Sequence, residues 1–509
     1  MDIKNMNISR DMFEFAHVGE KLHDKKLETK ARSSFQDAML RFKKNKSSVV
    51  AAYIILLLVI FSIVSPFISQ YDVHTMDKLY MNMPPYIESI AKKGNGWFDG
   101  GVTRDSQNDS SMDYWAGIAQ ETGMNPVNKI ISKQVKQVKQ RGKMVENATY
   151  KIENNKYYEL GVVYRVLSYE QFEAIQQWQN ETGIQVIYPY VDPKDIMDIT
   201  NNSNIWYQVK DTKGTAVKDA DGNFIPAYST NKSIEGAEYH SIRIAGDDGS
   251  YIYSAKKSGA VNCRVCYYNL YIYENGFAPK FIFGTNEKGQ DLFCAIGMGA
   301  RFSMIFAIVV SAINLTIGAI YGSIQGYYGG AVDMVMDRIS DILSGIPFVV
   351  TVELFQLYMA QKVGTVGAFL FVYVFTGWIG MAALTRKQFY RFKGQEYVLA
   401  ARTLGASDWR LMFKHIFPNS LGTLITSCAL IIPGTISSET NMTYLGIINL
   451  SELVGTSIGE LMSMGQRAMT SAPHAMFFPA LFFSLLMIAF NLFGNGLRDA
   501  FNPTTRGVE

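Results

Sequence analysis

Four cysteines in 509 residues, Cys263, Cys266, Cys294 and Cys428, are too few for a disulfide framework and exclude a small stapled domain. Cys294 and Cys428 lie in or beside apolar runs, where cysteine serves as a small hydrophobe. An excess of either charge is also lacking. The 48 Lys plus Arg against 45 Asp plus Glu leave +3, which gives no reason to expect a nucleic-acid partner. No Gly-x-x-x-x-Gly-Lys-Ser/Thr phosphate cradle occurs, so the chain does not hydrolyse ATP by that route. The six histidines are scattered, without a His-Glu-x-x-His pair or a Ser/His/Asp grouping, and catalysis by this chain is not expected. No apolar core precedes residue 49, so no signal peptide is expected, and the run ending at Ile68 is long enough to span a bilayer.

What the chain has is a set of long apolar runs. A helix crossing about 30 Å of hydrocarbon needs about 20 mostly apolar residues. Val49–Ile68, Phe302–Tyr321, Ile342–Gln361, Val366–Leu384, Leu421–Ser438 and Ala475–Leu492 meet that need, which predicts six spans. Arg41, Lys43, Lys44 and Lys46 precede the first. Arg386, Lys387, Arg391, Lys393, Arg402, Arg410 and Lys414 follow the fourth, while only Arg467 lies between the fifth and sixth. The excess of basic residues marks the cytoplasmic side, so both termini are expected there.

That orientation puts residues 70–281, which contain no span, outside the cytoplasm as an inserted domain. Tyr158–Leu167, Ile184–Tyr190, Tyr251–Ala255 and Val265–Tyr273 read as strands, and Ser168–Thr182 as a short helix. Asp221-Gly222-Asn223 and Asp247-Asp248-Gly249 read as turns. The expected fold is an α-helical membrane protein of six transmembrane helices, with a large extracytoplasmic α+β insertion between helices 1 and 2. The divisions are a tail at 1–48 with an amphipathic segment, a first span at 49–68, the insertion at 70–281, a membrane core at 297–495 and a C-terminal tail at 496–509.

The most informative segment follows the fourth span. It runs from Glu396 through Ala400-Ala401-Arg402, Gly405-Ala406 and Asp408 to Pro418. Two helical stretches meet at a glycine, a proline closes the second, and Ala400, Ala401, Gly405 and Ala406 leave a face that another protein can approach closely. The alternative is an ordinary basic loop. The pattern resembles the "EAA" loop of bacterial ABC importer permeases, with Leu399 standing where that motif usually has glutamate.

Further segments are similar to the dipeptide/oligopeptide/nickel permease family, and to its C-type oligopeptide subunit in particular. They are Gly284–Phe293, in which Asn286 and Gln290 replace the usual Asp and Arg; Gly326-Tyr327-Tyr328-Gly329-Gly330 with Asp333, Asp337, Arg338 and Asp341; Glu439 through Gly446; Asn491–Asp499 with Pro503; and the tail Phe35–Ser47. The resemblance implies a type I importer permease for oligopeptides, paired with a second homologous permease subunit. It implies two cytoplasmic ATPase subunits that carry the ATP and Mg and grip the coupling loop at 386–418, and an extracytoplasmic peptide-binding lipoprotein. No cofactor is expected on this chain. Import of nickel or a metal chelate is the alternative within the family, and a membrane-anchored ligand sensor the alternative outside it. The insertion has no counterpart in the resemblance.

Glu353 is the one acid inside an expected span. It either lines the translocation path, makes a structural hydrogen bond or sits near the outer interface. Cys263-x-x-Cys266 is a candidate disulfide, with free thiols the alternative and no further ligands for zinc. Glu439 reads as structural. The insertion's dense aromatics read mostly as core.

Overall fold

The computed structural model describes residues 34–72, 74–91, 98–140, 143–193, 202–207, 215–225, 228–229, 240–241, 243, 250–450 and 456–501. The expected turn at Asp247–Gly249, Pro503 and most of both tails lie outside the described residues. The chain starts with two helices, α1 (Ser34–Lys44) and α2 (Lys46–Ile68), separated at Asn45, whose side chain accepts the Ser48 N–H and caps α2. The amphipathic α1 lays Ala38 and Phe42 against Phe493, Leu497 and Ala500 near the other end of the chain. Along α2, Leu57 is 64% and Phe67 78% exposed, a cost in water that a hydrocarbon environment removes. Pro66 cannot donate to the Ser62 carbonyl one turn earlier. Arg301 fills the gap: its Nε and Nη2 donate to Ser62 O at 3.3 and 3.1 Å, and Nη2 also donates to Ile63 O at 3.0 Å.

Among the described residues the polar stretch after α2 holds three antiparallel sheets, the smallest of them the two-stranded pair Tyr228–Ser229 and His240–Ser241. After a short α3 (Glu88–Ala91) come β1 (Gly101–Gln107), α4 (Asp109–Thr122), β2 (Val127–Gln140) and β3 (Lys143–Asn155), which form a sheet ordered β1-β3-β2. Next are β4 (Val162–Leu167), α5 (Tyr169–Thr182), β5 (Ile187–Tyr188), β6 (Tyr228–Ser229), β7 (His240–Ser241), β8 (Ser254–Lys257), β9 (Ala260–Cys266) and α6 (Tyr267–Asn275). Strand β9 lies between β4 and β5 and also pairs with β8. The expected helix at 168–182 is present, with Ser168 and Gln171 forming a capping box. The turn at 221–223 is present too, Gly222 taking φ +86°.

Several expectations fail here for physical reasons. Val265–Tyr273 is not a strand: β9 stops at Cys266, and Tyr267, Leu270 and Tyr271 bury with helical spacing until Gly276 closes α6 at φ +77°. Tyr158–Leu167, Ile184–Tyr190 and Tyr251–Ala255 keep only β4, the two residues of β5 and the start of β8 as strand. The long β2–β3 ribbon was not foreseen, because its polar residues mask the strand alternation. Cys263 and Cys266 are both free. Three residues apart on an extended strand, their α-carbons are separated by about 10 Å and their side chains leave opposite faces, beyond the reach of a disulfide. Cys263 packs with Tyr80, Tyr157 and Val265, whereas Cys266 packs with Val162 and Tyr188. Burial pushes the two thiols up, to about 12 and about 11.

The aromatics are largely core, as read: Trp206, Tyr188 and Tyr190 are buried. On the face of β9 opposite Cys263, the fully buried Arg264 makes a bidentate pair with Glu121 of α4 (2.9 and 2.6 Å) and donates to the Ser203 and Pro189 carbonyls. Arg243 adds a second cation, 3.7 Å from Glu121.

From residue 284 the chain enters the membrane core through a latch. Thr285 donates its hydroxyl to Tyr80 O (2.6 Å) and accepts from Met83 N–H (2.8 Å). Buried Asn286 and Gln290 bond each other through their amides at 2.8 Å. They form a neutral pair where the resembled family has Asp and Arg. Lys288 pairs with Glu460 at 3.0 Å. Asp291 caps the next helix, accepting from Phe293 and Cys294 N–H (3.4 and 3.1 Å) and from the Ser69 hydroxyl at the end of α2 (2.9 Å).

The core comprises α7 (Leu292–Tyr328), α8 (Gly330–Ser344), α9 (Phe348–Val363), α10 (Thr365–Gly377), α11 (Ile379–Phe392), α12 (Glu396–Thr403), α13 (Asp408–Arg410), α14 (Phe417–Tyr444), α15 (Ile458–Arg467) and α16 (His474–Phe501). Among the described residues five helical units are long and apolar enough to cross a membrane: α2, α7, α10–α11, Asp408–Tyr444 and α16. The expected third span, Ile342–Gln361, is not one straight helix. The chain bends by 76° between α8 and α9. Pro347 supplies no N–H and holds Ile346 out of helical geometry, so α8 ends and a new helix starts.

Two outcomes test this packing. Glu121→Ala removes the carboxylate that pairs with the fully buried Arg264 and is expected to cost about 3–5 kcal/mol, read as faster amide exchange along β9 in the full chain. Burial pushes the Asp291 carboxyl from 3.8 up to about 6, so the folded chain keeps a proton that the unfolded chain releases above pH ~4. Stability therefore falls as pH rises from about 4 to about 6, and Asp291→Asn, which keeps the cap, is expected to flatten that part of the melting-temperature profile.

Candidate coupling loop

The segment between α11 and α14 is built by local rules. Helix α12 ends at Thr403 with two reverse bonds: Gly405 N–H donates to Arg402 O (3.0 Å) and Ala406 N–H to Ala401 O (3.1 Å). This is a Schellman cap, and it requires the left-handed residue that Gly405 supplies at φ +82°. Open space surrounds Gly405, so backbone conformation and not crowding selects it. The cap turns Ala401 and Ala406 toward the chain's own apolar cluster of Tyr327, Phe389, Val398, Leu411, Met412 and Ile416. The expected small-residue face is therefore divided: Ala400 and Gly405 are exposed, Ala401 and Ala406 half-buried.

Pro418 does not close the second stretch, as the sequence suggested. Asp408–Tyr444 runs on as one 37-residue helix. A π-turn at Leu411–Ile416 comes just before the proline, and Phe417 N–H donates to Met412 O five residues back. The wider turn shifts the bonding register, and Pro418 sits in the first turn of α14, where a missing N–H is tolerated.

Two charged loop residues converge on one tyrosine. The Tyr327 hydroxyl at the end of α7 donates to Asp408 Oδ1 at 2.5 Å and accepts from Arg402 Nη2 at 3.3 Å. Beside them, Lys393 donates to Gly326 O at 3.0 Å. Arg386 binds Asp333 (2.7 Å) and Asp337 (2.8 Å) of α8, and Tyr390 donates to the same Asp333 oxygen at 2.5 Å. The loop is thus braced on α7 and α8. Glu396, in the first turn of α12, points outward. So do Leu404, 88% exposed, and Trp409, 65% exposed. These two apolar residues were missed as site residues, as was Tyr327. The signal was there for the first two: large apolar side chains on either side of the glycine, within a run of charges.

Glu353 lies apart from the loop, exposed on α9 between the exposed Val349, Val350, Leu354 and Leu357. Glu439 is buried in α14, accepts from Ser303 of α7 at 2.7 Å and lies near the Thr440 and Thr443 hydroxyls, so it ties two spans together.

A bundle of apolar helices carrying a braced helix–glycine–helix loop is the architecture of a transporter permease. Residues 297–507 match the family of binding-protein-dependent transport system inner membrane components, and residues 33–85 match the N-terminal TM domain of oligopeptide transport permease C. The chain is 40% identical to the oligopeptide transport system permease protein OppC of Bacillus subtilis, over 44% of this chain and 72% of that one. It is 38% identical to the dipeptide transport system permease protein DppC of the same organism, over 44% and 69%. A solved amino acid ABC transporter with histidines aligns over 38% of this chain and 90% of that one at 12% identity and a TM-score of 0.29, too loosely to bear on the fold. The chain belongs to the binding-protein-dependent permease family, and it is a permease subunit of an ABC importer. Residues 86–296 lie between the two matched segments.

The cap makes a direct prediction. Gly405→Ala is expected to cost about 1 kcal/mol and speed exchange of the Ala406 amide about fivefold, with Gly405→Asn costing less because asparagine tolerates the left-handed region.

Proposed function

We propose that this chain is one of two membrane subunits of an ATP-driven importer of oligopeptides, and that residues 386–418 are its coupling loop. Cytoplasmic ATPases grip that loop, and their closure on nucleotide moves the spans between outward- and inward-open states. The observation that carries this reading is the pair Leu404 and Trp409, held out on a loop braced by Tyr327. An exposed apolar pair on a rigid support is the form of an interface anchor, and a rigid brace passes force into the helix that it touches. The relatives named for oligopeptide and dipeptide transport support the substrate class.

In this reading both termini and the loop are cytoplasmic, and the insertion is outside, where a binding protein delivers substrate. The distribution of lysine and arginine supports that orientation. The half-exposed apolar side of α9, with Glu353 on it, faces the second permease and the pathway. The chain itself needs no cofactor, since ATP and Mg belong to the ATPases.

The test is ATP-dependent uptake of labelled peptides by the assembled transporter in proteoliposomes. Leu404→Ala with Trp409→Ala is expected to lower uptake at least tenfold and to release the ATPases, while the membrane subunits stay assembled. Peptide-independent behaviour of the wild type, or full uptake by the double variant, would overturn the reading.

A further inference from the structure

The β2–β3 ribbon is a large feature that membrane transport leaves without a role. Its strands pair from Val127 with Asn154 to Gln140 with Lys143, about 40 Å at about 3.4 Å per residue. Its root lies beside the membrane core: β1 pairs with β3 from Asn155 back to Tyr150, and Phe98, just before β1, packs on Phe478 of α16. Beyond Tyr150 no described strand pairs with either edge. Every side chain from Asn128 to Gln137 is exposed, including Ile130, Ile131 and Val135, and Met144 opposite is 61% exposed. A two-stranded ribbon with apolar residues left in water is marginal by itself.

Its charge indicates what covers it. Between Val127 and Asn155 there are seven Lys and Arg against two Glu, more positive charge than the +3 of the whole chain. A second copy of the ribbon is opposed by that charge, since lysines on a free edge repel self-pairing. The register separates a lipid surface from a protein. Lys133 lies opposite Tyr150, on the other face from Lys136, opposite Asn147, and from Lys151, opposite Ser132. A flat anionic bilayer meets one face of a ribbon, whereas a protein cleft meets both and can also pair with the free backbone edges.

We infer that the ribbon is a docking arm for an acidic protein surface outside the membrane, and that this surface belongs to the binding protein that delivers substrate. The inference rests on the proposed orientation of the insertion. Attraction to the arm raises the encounter rate and is weakened by salt.

The experiment uses the complete transporter in nanodiscs of zwitterionic phosphatidylcholine. The probe is the purified binding protein whose removal abolishes uptake. Wild-type association is expected to weaken as salt rises from 50 to 300 mM. Lys129→Glu, Lys133→Glu and Lys136→Glu together are expected to weaken it at least tenfold and to flatten the salt dependence. Lys256→Glu with Lys257→Glu, exposed on β8 of the same insertion, is the control and is expected to change it little. Unchanged binding by the triple variant, or an equal loss in the control, overturns the inference. So does an arm whose charge reversal alters binding only to phosphatidylglycerol vesicles, which assigns it to lipid. A cysteine at Gln134, labelled in intact cells by a membrane-impermeant maleimide, separates the two readings. Labelling only after permeabilisation overturns the orientation and the arm together, whereas labelling from outside with unchanged binding overturns the arm alone.

Discussion

The contact on which the rest depends is the one between the backbones of α7 and α11. Gly318, Gly322 and Gly326 fall on one side of α7 at four-residue intervals, and side chains there would collide with the carbonyls of Trp378, Ala382 and Arg386. With no methyl groups in the way, the two helices approach to backbone contact, the means by which spans associate in lipid without a hydrophobic driving force. The stripe ends at Gly326 and Tyr327, the residues that Lys393, Arg402 and Asp408 then hold. The span that carries the candidate coupling loop and the span that braces it are thus in contact along the stripe and at its end.

The insertion joins the same frame at the other end of α7. Asp291 binds the end of α2 through Ser69, Thr285 holds the Tyr80–Met83 segment, and the neutral Asn286–Gln290 pair fills the place of an ion pair. A buried amide pair satisfies its partners without the desolvation cost of two charges. The polar stretch between the first and second spans is tied to the core at both of its chain ends.

Periodicity was legible where a single element decides it. The apolar runs of α2, α7 and α16, the short helix at Ser168–Thr182 and the glycine between two helical stretches at Gly405 were all visible in the residues, and the structure has them. The misreadings came where residue type and neighbouring structure compete. Tyrosines suggested a strand after Cys266, but burial at Tyr267, Leu270 and Tyr271 makes a helix. A continuous apolar run suggested a straight span, but Gly345 and Pro347 break it. Tyr327 stood in the sequence only as part of the Gly326–Gly330 segment, and its bonds to Arg402 and Asp408 come from the folded loop.

Sequence alone determined that this is a membrane protein with a polar insertion and a coupling-like loop, because the hydrocarbon thickness and the cap rule act on consecutive residues. Only the tertiary structure decided which alanines of that loop face inward, that Cys263 and Cys266 cannot meet, and that six lysines of the polar stretch fall on one two-stranded ribbon. Each of those outcomes depends on which face of an element a neighbour covers, and that is settled by segments far away along the chain.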